Sequence, residues 1–149
     1  MKNEKRGLFL PLMIGIVHFL VFVVIAVSVL FYISDLYPEL EGVFQNTVYY
    51  IILFGTMVSF FATLAAYFNK GEIFRMGFGI GKIFCLIAYT TSIYNSLDFT
   101  IEVENFVASV SFPGLLDLKI GLFFLYGGYF VFEYFIYNKE GSAEPEFLL

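Results

Sequence analysis

Three ionisable side chains stand inside long apolar stretches of this 149-residue chain: His18, Lys82 and Glu133. A charge is costly to hold inside a bilayer, so such groups raise a functional hypothesis by default. Counted at ~1.5 Å per helical residue, Lys82 and Glu133 fall at similar depth, roughly 7–10 Å to one side of the midplane. They are therefore expected to face each other or to share a water. The rival reading is that both long side chains reach back to the interface. A histidine titrates near neutral pH and can pass a proton, so His18 could join them in a half-path for protons or ions. The simpler reading is a lone histidine hydrogen-bonded to a neighbouring helix. As the one histidine in the chain, His18 cannot supply both axial ligands of a haem.

Other patterns carry less chemistry. Gly77-Phe78-Gly79-Ile80-Gly81-Lys82 looks superficially like a phosphate-binding loop. It lacks the four intervening residues and the Ser or Thr after Lys that such a loop needs, so helix packing explains its glycines better. Asp98, Glu102, Glu104 and Asp117 form a candidate outer acidic cluster. Oxygen ligands of this kind can hold a hard cation, but no calcium-loop spacing is present and a solvated face is the default. No metal or cofactor is expected. Cys85 is the single cysteine, which excludes an intrachain disulfide. The end, Glu144-Pro145-Glu146-Phe147-Leu148-Leu149, resembles an acidic dileucine sorting signal. Short patterns of this type recur by chance, and an end that frays or docks on a partner is the simpler reading.

These residues must be positioned by elements that suit lipid. Hydrophobic residues make up 60% of the chain and charged ones 14%, against about 25% charged in a soluble domain. Four apolar runs, at 8–33, 47–68, 75–97 and 115–137, are each long enough to cross a hydrocarbon core, which takes ~20 helical residues. They must be helices, because a lone strand in lipid leaves its backbone polar groups unpaired. The expected fold is an all-α membrane protein, a single domain of four transmembrane helices in an antiparallel bundle. The basic residues before the first run suggest a signal peptide, but its length and the lack of a small-residue cleavage site favour an uncleaved anchor.

Lys2, Lys5 and Arg6 precede the first run, Lys70 and Arg75 lie between the second and third, and Lys139 follows the fourth. The other two connections are acidic. The excess of basic residues marks the cytoplasmic side, so both termini are expected inside, with the cell membrane as the location. Within 98–114, Phe99, Ile101 and Val103 alternate with polar residues, and Phe106, Ala108, Val110 and Phe112 continue the alternation. Period two suggests a small β-hairpin in this second outer loop, with an interfacial helix as the alternative. Residues 138–149 are read as a mobile acidic cytoplasmic tail.

Small residues step by three or four along two spans: Gly55, Ser59, Ala62 and Ala66 in the second, and Gly77, Gly81, Cys85, Ala88 and Ser92 in the third. Such stripes let membrane helices approach closely. They are expected to form a packing seam between the two spans, with a dimer face as the rival. The composition leaves no basic face for nucleic acid, since eight Lys and Arg stand against 13 Asp and Glu. The preferred functional expectation is a non-catalytic accessory or assembly subunit of a larger membrane complex, in contact with lipid and with other subunits or further copies of itself. The alternative is a small oligomeric transporter or channel that uses the polar site.

Overall fold

The computed structural model describes residues 7–38, 41–97, 99–103, 106–110 and 113–142, with side chains placed over 7–38, 44–94 and 116–138. Four helical stretches are long and apolar enough to cross a membrane: Phe9–Leu36, Phe44–Tyr67, Ile73–Tyr94 and Leu116–Asn138. The first is compound. α1 (Phe9–Phe19) passes into a π-helical segment, Leu20–Ile25, and then into α2 (Ala26–Leu36). Pro11 falls in the first turn of α1, where its missing N–H costs no helical hydrogen bond. α3 (Glu41–Tyr67) and α4 (Ile73–Leu97) follow. Two strands, β1 (Phe99–Val103) and β2 (Phe106–Val110), pair antiparallel with Phe99 opposite Val110 and Val103 opposite Phe106. The last helix, α5 (Pro113–Ser142), extends past Asn138 into the segment expected to be a mobile acidic tail.

The principal contacts follow chain order. The first span lies on α3, α3 on α4, and α4 on α5. α3 is the most heavily buried of the four and the last span the least. One apolar cluster joins Leu30, Phe44, Ile51 and Tyr89, and another joins Val58, Ile83, Cys85 and Leu86. The many Leu, Phe, Ile and Tyr side chains left exposed on the first and last spans are what lipid-facing helices require.

Two hydroxyls of α3 are satisfied locally. Ser59 Oγ donates to Gly55 O at 2.8 Å, and Thr63 Oγ1 donates to Ser59 O at 2.9 Å. Bonding to the carbonyl one turn back is how Ser and Thr hide a donor within a helix.

The turn between α3 and α4 is tightly built. Gly71 has φ +84°, a left-handed conformation that favours glycine. A side chain there would also strike Tyr137 of α5. Asn69 Nδ2 donates to Glu72 Oε1 at 2.9 Å, and Lys70 Nζ lies 5.3 Å from the centroid of the Tyr137 ring. The turn thus holds the far end of α5 as well as joining its own two helices.

Candidate functional site: a polar ladder between α4 and α5

Arg75, Gly79 and Lys82 occupy one face of α4 at spacings of four and three. Tyr126, Phe130 and Glu133 do the same on α5. Residues at these spacings stack along one side of a helix. The two sets meet in opposite order and form three rungs.

The first rung is ionic. Arg75 Nη2 lies 3.1 Å from Glu133 Oε1, and Arg75 Nε donates to Glu133 Oε2 at 3.3 Å. It is the one ion pair among the described residues. The Nη2 contact is close enough for charge attraction but not aligned as a hydrogen bond, so Oε1 keeps acceptor capacity. Glu133 is 4% exposed. Arg75 also donates from Nη1 to the carbonyls of Ala65 and Phe68, each at 3.3 Å. Those carbonyls belong to the end of α3, which carries the negative pole of the helix and leaves its last acceptors without intrahelical donors. One guanidinium therefore fastens three helices, which its planar set of five donors allows.

The second rung is steric. A Cβ on Gly79 would collide with the ring of Phe130. The glycine is thus the recess that receives this ring. The third rung is a caged cation. Lys82 Nζ donates to Tyr126 Oη at 3.2 Å and lies 4.9 Å from the Tyr126 ring centroid and 5.9 Å from that of Phe130. Both distances are within reach of a cation–π attraction, which gains strength when desolvated. Lys82 is 7% exposed, and no carboxylate pairs with it among the described residues.

Lys82 and Glu133 thus share the α4–α5 interface, but on its third and first rungs, and they are not each other's partners. Glu133 is taken by Arg75, about two helical turns nearer the 69–72 turn than Lys82, and Lys82 turns to aromatic rings. Arg75 opens the third apolar run and counts among the basic residues between two spans, but the expected polar site omits it. Its seven-residue spacing to Lys82, matched by Tyr126 and Glu133, was the signal that could have placed it on the face.

His18 does not join them. Its Nδ1 donates to Ile14 O of its own helix at 2.8 Å, and its ring stacks on Phe22 with centroids 6.0 Å apart. Phe22 in turn meets Tyr89 edge-on at 5.5 Å, and Tyr89 Oη donates to Phe22 O at 2.9 Å. Phe22 lies in the π-helical segment, where widened backbone geometry disturbs the regular bonding ladder. A phenol from α4 thus engages backbone in the first span.

The small residues do not act as one seam between α3 and α4. A Cβ on Gly55 would come within 2.7 Å of Val23 Cγ2 and 2.9 Å of Phe22 O, so Gly55 faces the first span. Gly15 meets Thr63 on that same contact. Gly81 does face α3, but against the Phe61 ring rather than another small residue. Gly77 has open space beside it. Ser59, Ala62 and Cys85 are buried, and Ala66, Ala88 and Ser92 half-buried. Of the acidic cluster, Asp117 is exposed, and the side chains of Asp98, Glu102 and Glu104 lie outside the described residues.

At the end of the molecule remote from the 69–72 turn, α2 and α3 border a cleft of about 560 Å³. Leu30, Phe31, Phe44 and Val48 give it apolar walls, and Ser34, Asp35 and Gln45 supply polar groups. Among the described residues, no three His, Cys, Asp or Glu side chains gather as a metal site. No family model, curated protein or solved structure matches this chain.

Proposed function

We propose that this chain is a non-catalytic accessory or assembly subunit of a larger membrane complex, set in the cell membrane with both termini cytoplasmic. The observation that carries this reading is the Arg75–Glu133 pair with its extension to Ala65 O and Phe68 O. The strongest charges within the spans are spent on fastening this chain's own helices, which suits a rigid structural piece. The last span adds support, because its extensive contacts among the described residues are with α4, while Leu118, Phe124, Leu125 and Phe132 remain open on other faces. An apolar face of that kind can receive helices of other subunits as readily as lipid tails. The charge asymmetry of the connections supports the orientation.

The test is native mass measurement after mild-detergent extraction from the host, with identification of co-purifying chains. Stoichiometric, unlike partners are expected. A bare monomer or a homo-oligomer would reject the subunit reading. A second reading, a small oligomeric transporter, draws on Lys82, whose buried ammonium has no carboxylate partner among the described residues, and on the open acceptor at Glu133 Oε1. It requires ion or solute flux in liposomes that Lys82→Met or Glu133→Gln abolishes.

A further inference from the structure

We propose that the cleft between α2 and α3 binds an organic ammonium carried on an apolar body, with Asp35 as its counter-ion. The size fits: about 560 Å³ lies within the range of small-molecule sites, roughly 300–1,000 Å³. The lining fits as well. Leu30, Phe44 and Val48 offer apolar wall, so the occupant must carry hydrocarbon to displace water from them. Ser34, Asp35 and Gln45 add a hydroxyl, a carboxylate and an amide, and among the described residues no lining side chain is basic.

The charge has a definite sign for two independent reasons. Among the described residues, Asp35 is the one charged side chain in the lining, and it forms no ion pair there. It also stands in the last turn of α2, where the helix already concentrates partial negative charge on its terminal carbonyls. A carboxylate at that pole is disfavoured in isolation, and a cation set beside it relieves both terms. An anion is repelled twice over. A bare divalent ion is poorly served, since one carboxylate, one hydroxyl and one amide fall short of the six to eight oxygens that calcium takes. An ammonium on an alkyl or aryl body satisfies the carboxylate and the apolar wall together. The ammonium could arrive as a free amine or as the headgroup of a phosphatidylethanolamine.

The test uses the full chain in dodecyl maltoside, an uncharged detergent, with 4-phenylbutylammonium as probe. Binding is measured by titration calorimetry against protein-free micelles. Saturable one-to-one binding is expected, weakened at least tenfold by Asp35→Asn and equally by replacing the probe with neutral 4-phenylbutan-1-ol. Val48→Trp, which narrows the cleft, should weaken it as well, at some cost in melting temperature because Val48 also packs against the Leu30, Phe44, Ile51 and Tyr89 cluster. Because Asp35 is exposed, Asp35→Asn is expected to fold normally, and its melting temperature verifies this. Absence of saturable binding, equal affinity for amine and alcohol, or indifference to Asp35→Asn in a folded protein would each overturn the proposal. Added phosphatidylethanolamine separates the two sources: competition with the probe assigns the site to the lipid headgroup, and unchanged affinity assigns it to a free amine.

Discussion

Gly79 of α4 receives the ring of Phe130 from α5, midway between the Arg75–Glu133 ion pair and the Lys82–Tyr126 contact. The steric fit and the two polar rungs depend on the same interhelical distance. Gly79→Leu should therefore disturb all three. Forced overpacking of a filled interface costs about 1–3 kcal/mol, and loss of the rungs adds to that. Thermal unfolding in detergent should show a lowered midpoint. Combining Gly79→Leu with Phe130→Ala should restore part of it, because the smaller residue vacates the space.

The Arg75–Glu133 pair is expected to be strongly coupled. Removing one partner of a buried pair leaves the other charge uncompensated, at a cost of about 3–5 kcal/mol. Glu133 is the more buried member, so Arg75→Gln should destabilise at least as much as Glu133→Gln. The double variant should lose less than the sum of the two. Additive losses in a double-mutant cycle would show that the pair contributes no interaction of its own.

Lys82 should behave in the opposite sense. Its ammonium is buried among aromatic rings, and no carboxylate offsets its desolvation among the described residues. Lys82→Met keeps an unbranched stem of similar length and removes the charge. We expect unfolding stability to hold or to rise by about 1 kcal/mol, since well-packed apolar replacements of buried charges are often neutral or stabilising. A clear loss would mean that the ammonium is held by more than Tyr126 and Phe130.

The Tyr89 hydroxyl is expected to hold the π-helical segment. Tyr89→Phe keeps the edge-on contact with Phe22 and deletes the bond to Phe22 O. The loss should be about 1 kcal/mol, the net worth of one such bond. Faster hydrogen exchange confined to Leu20–Ile25 would be its signature. Uniformly faster exchange along the first span would instead indicate that packing, not this bond, had been damaged.

His18 should matter little for stability. Its hydrogen bond lies within one turn of its own helix and is replaceable. His18→Gln is expected to change the unfolding midpoint by less than the equivalent of about 1 kcal/mol. A larger drop would point to partners for Nε2 that the described contacts do not include.

Much of this protein is determined by sequence alone. Four apolar runs beyond bilayer length oblige four helices, because lipid offers nothing else to backbone N–H and C=O groups. That Lys82 and Glu133 stand on consecutive spans, which can be neighbours, is equally legible from the order of the apolar runs. What depends on register along the helix axes and rotation about them was not legible. Lys82 and Glu133 share an interface but stand on its third and first rungs, because which side chain meets which is decided by the register and rotation at which α4 and α5 seat on each other. That seating is marked by Phe130 entering the recess at Gly79, a fit visible only when both helices are present. It gives Glu133 to Arg75 and leaves Lys82 to the rings. The small residues followed the same rule. Their spacing promised close approach, whereas the neighbour each one admits, Val23 and Phe22 O for Gly55 and Phe61 for Gly81, was set by large side chains on other helices. Periodicity fixes which residues share a face. Only complementary shapes and charges across the interface decide what that face will meet.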